Sequence, residues 1–325
     1  MRSATYNEFG KPTEVLSLGD RPIPEPKANE VRVKTILASI HNHDLLTIRG
    51  QYGFKPELPA IGGSEAVGII DAVGSEVKSL KVGQRVAAAS VQATWAEYFV
   101  ASANMIFPVP DSLNDEMAAQ LIAMPLSALM MIEFLELQPG QWVIHNAANG
   151  AVGKSLAMLA AARGIKTINV VRNSDAIKEL EALGIKNNID TSDEDWQDQV
   201  RHIVGDEAIS AAVDSVGGEN SGELLSLLGH YGTLASFGLM SGKPMAINPT
   251  DMIFKQATMK GFWGSKLSQE MSVKHKQRLV NELIERAVDG KLKLPVEATF
   301  DLADITKAVD GELQSGKKGK VLLKP

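Results

Sequence analysis

The amino-acid sequence predicts an α/β protein that combines a β-rich domain with a doubly wound parallel sheet. The chain has 325 residues, which is long for one core and suits two domains of roughly 150 residues each. Short β-like runs broken by Gly and Pro occupy the first part of the chain, and helices alternating with short apolar strands follow from about Asp115. We therefore expect one domain at residues 1–115 and 290–325 and the other at residues 116–289.

The first domain is predicted to be barrel-like, because its β-like runs are short and closely spaced. These runs are Glu30–Ile36, Ala66–Val73, Gln84–Ala88 and Trp95–Val100. The C-terminal tail reads as strand Val296–Phe300, helix Leu302–Leu313 and strand Lys320–Leu323. Since a terminal strand needs a sheet to pair with, we expect the tail to return to the first domain.

The second domain is predicted to contain six strands with helices between most of them. These strands are Gln141–Ala147, Thr167–Val171, Asn188–Asp190, Ile209–Ser215, Gly232–Phe237 and Met259–Trp263. Strands that alternate with helices form parallel sheets, so this rhythm predicts a doubly wound sheet.

Composition excludes several classes of function. A net charge of -6 does not suit a nucleic-acid-binding protein, which needs a basic face. The absence of cysteine removes disulfides, thiolate nucleophiles and cysteine-ligated metal sites. No run of 18 apolar residues and no signal-peptide pattern is present, so we expect a cytoplasmic protein without a membrane partner.

A candidate dinucleotide site follows the predicted strand Gln141–Ala147. Gly150 would let the backbone approach a pyrophosphate, and Gly153 would allow close packing between strand and helix. The free amides at the start of that helix would attract the anion. Ala148 stands where the usual fingerprint has its first glycine.

The end of the next predicted strand indicates which dinucleotide is bound. An NAD site has an acidic residue about twenty residues past the loop, where it binds the ribose. This chain has Arg172 there, followed by Asn173 and Ser174. A guanidinium can bind a 2′-phosphate through two hydrogen bonds, so the sequence favours NADPH over NADH.

Several longer strings point to a family. They are Arg49–Gly53, Glu57–Glu65, Leu137–Gly140, Thr167–Arg172, Ile253–Lys255 and Lys260–Trp263. With the order of parts, they resemble the zinc-free branch of the medium-chain dehydrogenase/reductase superfamily over essentially the whole chain, and trans-2-enoyl thioester reductases in particular. The resemblance implies a GroES-like β-barrel catalytic domain and a Rossmann domain.

The resemblance also implies roles for individual residues. Cofactor contacts would come from Asn149, Gly150, Ala151, Val152, Gly153, Arg172, Asn173, Ser174, Phe237, Gly238, Leu239, Met240, Phe262, Trp263, Gly264, Ser265 and Lys320. Tyr52 falls on the family's catalytic tyrosine. Hydride transfer to the β-carbon of an enoyl thioester places negative charge on the thioester oxygen, which a phenol O–H can stabilise.

The chain departs from the family around the expected substrate pocket. Where relatives commonly show Ile-Asn-Pro-Ser-Asp, this chain has Ile40–Asp44, which makes His41, Asn42 and His43 substrate-pocket candidates. Met124 is a further candidate, because it replaces an asparagine of the relatives. A metal site at His41, His43, Asp44 and Glu65 is a less favoured alternative, since the usual zinc ligand set is missing.

Three functions remain open at this point. The first is reduction of a 2-enoyl-CoA or 2-enoyl-acyl carrier protein, and the second is reduction of a quinone or an α,β-unsaturated carbonyl compound. The third is an NADPH-binding regulator or crystallin-like structural protein without turnover. Dimers are the commonest assembly, and the late strands could extend a sheet across a two-fold axis, so we expect a homodimer.

Overall fold

A computed structural model describes every residue, Met1–Pro325, and divides the chain into two compact units. The first unit comprises Met1–Ala123, Val280–Val288 and Leu294–Pro325. The second comprises Met124–Leu279 and Asp289–Lys293. No helix is both long enough and apolar enough to cross a membrane.

The N-terminal part of the first unit is built mainly from strands, as predicted. The strands are β1 (Arg2–Tyr6), β2 (Ser17–Asp20), β3 (Glu30–Ser39), β4 (Ala60–Ile61), β5 (Glu65–Val73), β6 (Arg85–Ala89), β7 (Tyr98–Ser102) and β8 (Ile106–Pro108). The helices are α1 (Pro12–Val15), α2 (Asn42–Ile48) and α3 (Asp115–Ala118), with a 3₁₀ turn at Ala103–Met105. Strand β3 buries alternate residues over its first half, because successive side chains of a strand point to opposite faces.

The central part of the chain alternates helices and strands. Its elements are α4 (Ala123–Phe134), β9 (Trp142–His145), α5 (Ala151–Ala162), β10 (Lys166–Val171), α6 (Ser174–Ala182), β11 (Asn188–Asp190), α7 (Trp196–Val204), β12 (Ile209–Asp214), α8 (Glu219–Leu227), β13 (Thr233–Ser236), α9 (Pro249–Lys255), β14 (Thr258–Gly261), α10 (Gly264–Glu270) and α11 (Val273–Val288). All six predicted strands are present, and each end lies within two residues of its predicted position.

The six central strands form one fully parallel sheet in the order β11-β10-β9-β12-β13-β14. The chain moves from β9 toward one edge and then restarts at β12 toward the other. The predicted doubly wound sheet is therefore confirmed. Ligands of such sheets bind beyond the carboxyl ends of the strands, where the strand order reverses. In this unit that reversal lies between β9 and β12.

The tail adds β15 (Val296–Asp301), a 3₁₀ turn (Leu302–Asp304), α12 (Ile305–Leu313) and β16 (Lys320–Lys324). Strand β16 pairs with β3 in antiparallel register, Leu322 with Ser39 and Leu323 with Ala38. The tail thus returns to the first unit, as predicted. It joins a seven-stranded sheet that packs over a core containing Tyr6, Trp95 and Phe99.

Candidate functional site

The predicted cofactor residues of the second unit gather at one edge of its parallel sheet. They occupy the segments that follow β9, β10, β13 and β14. Because these strands are parallel, their carboxyl ends meet at the same edge. A sequence spread from Asn149 to Ser265 is therefore brought to one face of this unit.

The loop between β9 and α5 is shaped by small residues. A side chain at Gly153 would place its Cβ 2.6 Å from the carbonyl oxygen of Ala148 and 2.7 Å from its Cα, so only glycine fits there. Ala147 adopts a φ of 50°, which turns the chain out of the strand. Gly150 caps α5 without a side-chain hydrogen bond. The first amides of α5 have no carbonyl partner inside the helix, and they form an anion-binding end.

A buried bridge that the sequence did not reveal holds this loop to the neighbouring strand. Asn146 Nδ2 donates to Asp214 Oδ1 (2.7 Å), and Asn146 Oδ1 accepts from the amide of Ser215 (2.7 Å). The Asp214 carboxylate also accepts from Ser221 Oγ (2.5 Å) and from the amide of Gly217 (2.9 Å). Asp214 is fully buried at the end of β12. The pair thus fixes the two strand ends on either side of the strand-order reversal.

Asn149 has one satisfied and one unsatisfied end. Its Nδ2 donates to Glu179 Oε2 (2.8 Å) on α6, and the same carboxylate lies 3.9 Å from the buried ammonium of Lys154. The Oδ1 of Asn149 is buried and has no hydrogen-bond partner. Because a buried acceptor without a donor is costly, this atom is suited to a ligand that brings a donor.

The segment after β10 presents the predicted 2′-phosphate residues to solvent. Arg172, Asn173 and Ser174 are all exposed. Asn173 Oδ1 accepts from the amide of Ala176 (3.0 Å) and so caps α6. The structure therefore gives Asn173 a structural role. Arg172 lies beside it, exposed at the carboxyl end of β10.

The segments after β13 and β14 combine one buried ring with exposed neighbours. Phe262 is buried, with ring centroids 5.4 Å from Phe134 and 5.7 Å from Phe237. Leu239 is 77% exposed and Met240 is 68% exposed. A Cβ at Gly238 would lie within van der Waals overlap of the Ser215 carbonyl, so glycine is required where this loop passes β12. The remaining predicted residues are the half-exposed Trp263, which caps α10, Gly264 and Ser265 in its first turn, and the half-buried Met124 in α4.

In the first unit, the start of α2 gathers a polar cluster. Asp44 Oδ2 accepts from the amide of His41 (2.9 Å), which fixes the turn into the helix. The His43 ring stacks on the His41 ring at 5.1 Å and lies 5.8 Å from the Tyr52 ring. His43 Nε2 is hydrogen-bonded to Ser64 Oγ (2.7 Å). Of the three substrate-pocket candidates of this unit, His43 therefore adjoins the predicted catalytic tyrosine, His41 lies on the other histidine, and Asn42 is exposed.

His41 is fully buried and paired with a buried carboxylate. Its Nε2 lies 2.7 Å from Glu65 Oε2 and 2.8 Å from Ser39 Oγ. Burial lowers the pKa of His41 well below its usual value, whereas burial raises the pKa of Glu65 to about 7. The other oxygen of Glu65 accepts from the amides of Ile122 (2.7 Å) and Ala123 (2.9 Å). His41 thus stays neutral. It is buried beneath the ring of His43 and does not line an exposed pocket.

Lys320, which was predicted to contact the cofactor, is buried and already bonded. Its ammonium donates to Glu312 Oε1 (2.8 Å) and to the carbonyl oxygen of Ile40 (2.9 Å). Although burial opposes it, the charges of Lys320 and Lys317 hold the pKa of Glu312 below its usual value. The structure places Lys320 behind the turn that carries His41, and its predicted cofactor contact stays a prediction.

The alternative metal site is not formed by these residues. No group of three or more His, Asp or Glu side chains is arranged to hold a metal ion. Instead, His41 Nε2 is hydrogen-bonded to Glu65 and Ser39, and His43 Nε2 is hydrogen-bonded to Ser64.

Comparison with known protein families gives two matches along the chain. Residues 27–111 match the alcohol dehydrogenase GroES-like domain, and residues 151–279 match the zinc-binding dehydrogenase family. The human mitochondrial enoyl-[acyl-carrier-protein] reductase is 34% identical over 330 residues, covering 99% of this chain and 88% of that protein. The corresponding protein of Arabidopsis thaliana is 34% identical and covers 91% of this chain and 80% of its own length.

Solved structures of quinone reductases share the whole fold. A suggested NADPH:quinone reductase from Bacillus thuringiensis has a TM-score of 0.92 and 33% identity, with 100% of this chain and 98% of that chain covered. The Escherichia coli quinone oxidoreductase complexed with NADPH has a TM-score of 0.90 and 25% identity, with both chains fully covered at 100%.

Proposed function

Because this chain belongs to the medium-chain dehydrogenase/reductase superfamily, we propose that it is an NADPH-dependent reductase of the C=C bond of 2-enoyl thioesters. The observation that carries this proposal is the 34% identity to human mitochondrial enoyl-[acyl-carrier-protein] reductase over 99% of the chain. The substrate would be an enoyl-CoA or an enoyl-acyl carrier protein. A cytoplasmic location stays a prediction, since the names of the relatives place those proteins in mitochondria.

The loop after β9 supports the choice of a dinucleotide. The amides of Ala151 and Val152 would bind the pyrophosphate, with Gly153 keeping the helix close to the strand. The unpartnered Oδ1 of Asn149 would accept a hydrogen bond from the ligand. The exposed guanidinium of Arg172 would bind the 2′-phosphate that distinguishes NADPH from NADH. When bound, NADPH supplies the hydride.

The first unit would provide the polar side of the reaction through Tyr52. Its phenol O–H would donate to the thioester oxygen, where negative charge develops as hydride reaches the β-carbon. The same proton donor can then deliver a proton to the α-carbon. The neighbouring His43 ring, 5.8 Å from the Tyr52 ring, would line the pocket beside it.

Reduction of quinones or α,β-unsaturated carbonyl compounds is the second candidate. It is favoured by the structural likeness to the Bacillus thuringiensis protein, whose identity of 33% approaches that of the enoyl reductases. In this case Tyr52 need not donate a proton, because the substrate oxygen can be protonated by water.

A three-substrate assay separates these candidates. NADPH oxidation is followed with trans-2-hexenoyl-CoA, a free enone and a small quinone under identical conditions. We expect the thioester to be reduced with the highest kcat/KM. Turnover of the quinone with an inert thioester would favour the second candidate. NADPH that quenches Trp263 fluorescence without any turnover would favour a cofactor-binding regulator.

We also propose a homodimer formed along the edge strand β14. This strand has only β13 as a neighbour in the sheet, so its outer edge is open. Near it in sequence, α9 exposes two adjacent large apolar side chains, Ile253 (65%) and Phe254 (72%). Contiguous exposed apolar surface of this kind marks interaction sites between proteins. Sedimentation velocity should show a dimer for the wild-type protein and a monomer for Phe254→Glu.

A further inference from the structure

We infer that His43 is the proton-carrying residue of the candidate substrate site, passing a proton from solvent to the phenol of Tyr52 while Ser64 holds its ring. This inference rests on the proposed function and extends it, because the phenol of Tyr52 must regain a proton after each reduction. It adds a reaction role to a residue that differs from the family pattern.

The geometry leaves one ring nitrogen of His43 open. Both polar contacts of its ring use Nε2, which lies 2.7 Å from Ser64 Oγ and 3.6 Å from Asp44 Oδ1. The side chain is 27% exposed, so Nδ1 can meet solvent. Its ring stacks on the ring of His41, and its centroid lies 5.8 Å from that of the tilted Tyr52 ring. The imidazole is therefore oriented by its neighbours and still reachable by water.

His41 cannot do this task. It is 0% exposed, its Nε2 is committed to Glu65 and Ser39, and burial lowers its pKa well below the usual value. A neutral His41 adds no positive charge beside His43, so the stacked pair does not suffer charge repulsion. Of the two histidines, only His43 is exposed to solvent.

Charged groups from several elements lie around His43. On α2 the Asp44 carboxylate lies 3.6 Å from Nε2, and at the start of β5 the buried Glu65 interacts with the charge of His43. Tyr52 faces the ring from the segment after α2. Lys320 and Glu312, from the tail, act on His41 behind it and are paired with each other.

The proton balance of the reaction gives His43 its task. Each reduction adds one hydride and one proton across the C=C bond, and proton donation by Tyr52 leaves a phenolate. A phenol ordinarily titrates near 10 and an imidazole near 6.5, so transfer from an imidazolium to a phenolate is strongly downhill. The N–H bond of the imidazolium breaks, the O–H bond of Tyr52 forms, and the neutral imidazole then takes a proton from water.

The test compares His43→Gln with wild type and with His202→Gln, which replaces an exposed histidine on α7. Glutamine can still bond to Ser64, but it does not titrate. We expect kcat to fall about 10–100-fold in His43→Gln with little change in the KM for NADPH. The wild-type kcat should decline as pH rises through the range in which imidazole loses its proton, and this limb should vanish in the variant.

Two further variants keep the inference falsifiable if His43→Gln folds poorly. Free imidazole added to His43→Ala should restore part of kcat, and Ser64→Ala should lower kcat without removing the pH limb. Wild-type kcat with an unchanged pH profile in His43→Gln would overturn the relay, as would a complete lack of turnover in the wild type. If the wild type reduces only the quinone, the proposed function fails and the relay fails with it, whereas thioester reduction that is unaltered in His43→Gln rejects the relay alone.

Discussion

In the second unit, the predicted cofactor residues lie on loops whose shape is set by backbone and small side chains, whereas in the first unit polar side chains hold one another. Gly153 and Gly238 leave no room for a Cβ, and they place the backbone at the sheet edge. Around Tyr52, by contrast, the positions depend on side-chain pairs such as His41 with Glu65 and His43 with Ser64.

This difference has a consequence for tolerance to substitution. A site built from backbone is disrupted by a substitution that adds an atom where the backbone packs closely. It tolerates substitution of the exposed side chains around it. A side-chain-built site responds to the loss of one partner, because the other is left buried and unsatisfied. The Asn146–Asp214 bridge is the point where the second unit also depends on a side-chain pair.

The largest effect is expected at that bridge. Asp214→Ala leaves the donors of Asn146, Ser221 and Gly217 without their acceptor in a fully buried position. We expect the free energy of unfolding to fall by about 3–4 kcal/mol, measured by urea denaturation. Asp198→Ala, on the exposed face of α7, is the matched control and should change it by less than about 0.5 kcal/mol. Equal effects of the two substitutions would show that the bridge does not stabilise the fold.

The next effect tests the backbone-built loop. Gly153→Ala places a Cβ against the carbonyl oxygen of Ala148, which cannot move without shifting the strand end. We expect a loss of about 2 kcal/mol in unfolding free energy, together with weaker NADPH binding by fluorescence titration. Gly261→Ala is the control, since a Cβ there meets nothing within 4 Å. A Gly153→Ala protein as stable as the control would show that the loop is not tightly packed.

Cofactor choice is tested by Arg172→Ala. Loss of a charge-assisted contact to the 2′-phosphate should raise the Kd for NADPH about 10–100-fold, because such contacts contribute about 1.5–3 kcal/mol. The Kd for NADH should hardly change. Arg201→Ala, on exposed α7, should alter neither. An equal loss for both cofactors would reject the 2′-phosphate role of Arg172.

The last prediction concerns the pH dependence of the side-chain-built site. The pKa of Glu65 in the folded protein is raised from 4.5 to about 7, so this group stabilises the fold at low pH and loses that contribution as pH rises through about 7. His41 has the opposite sign, because its lowered pKa makes the fold less stable as pH falls below 6.5.

Glu65→Gln should therefore flatten the decline of unfolding free energy between about pH 4.5 and pH 7, the window set by the Glu65 shift. Denaturation curves at several pH values measure this directly. The exposed Glu181→Gln should keep the wild-type profile, and a Glu65→Gln profile identical to it would contradict the assigned burial effect.

Much of the fold could be predicted because it depends on patterns of residues that are close together in the sequence. Apolar strands alternating with helices predicted the parallel sheet, and the position of Arg172 directly after β10 followed from the same pattern. Gly153 could be singled out because strand-to-helix loops of this type need a residue without a side chain. The returning strand at Lys320–Leu323 was also predicted from the pattern, whereas a cofactor contact of Lys320 was implied only by the family resemblance.

The side-chain pairs could not be predicted, because their partners are distant in sequence. Asn146 meets Asp214 only once the order of β9 and β12 is known, and His41 meets Glu65 only through the pairing of β3 with β5. One signal was available for Asp214, which is a charged residue closing an apolar run that begins at Ile209. A charge at the end of a buried parallel strand predicts a ligand or a partner at the sheet edge.

Reduction of an enoyl thioester at its β-carbon leaves a label that can be followed. The most direct measurement follows deuterium from NADPH that carries deuterium at both C4 positions into trans-2-hexenoyl-CoA, with the product analysed by NMR and mass spectrometry. We expect one deuterium at the β-carbon, one solvent proton at the α-carbon, and a much slower reaction in Tyr52→Phe. A hexanoyl product without deuterium at the β-carbon, or no product from the wild-type protein, would contradict the proposed function.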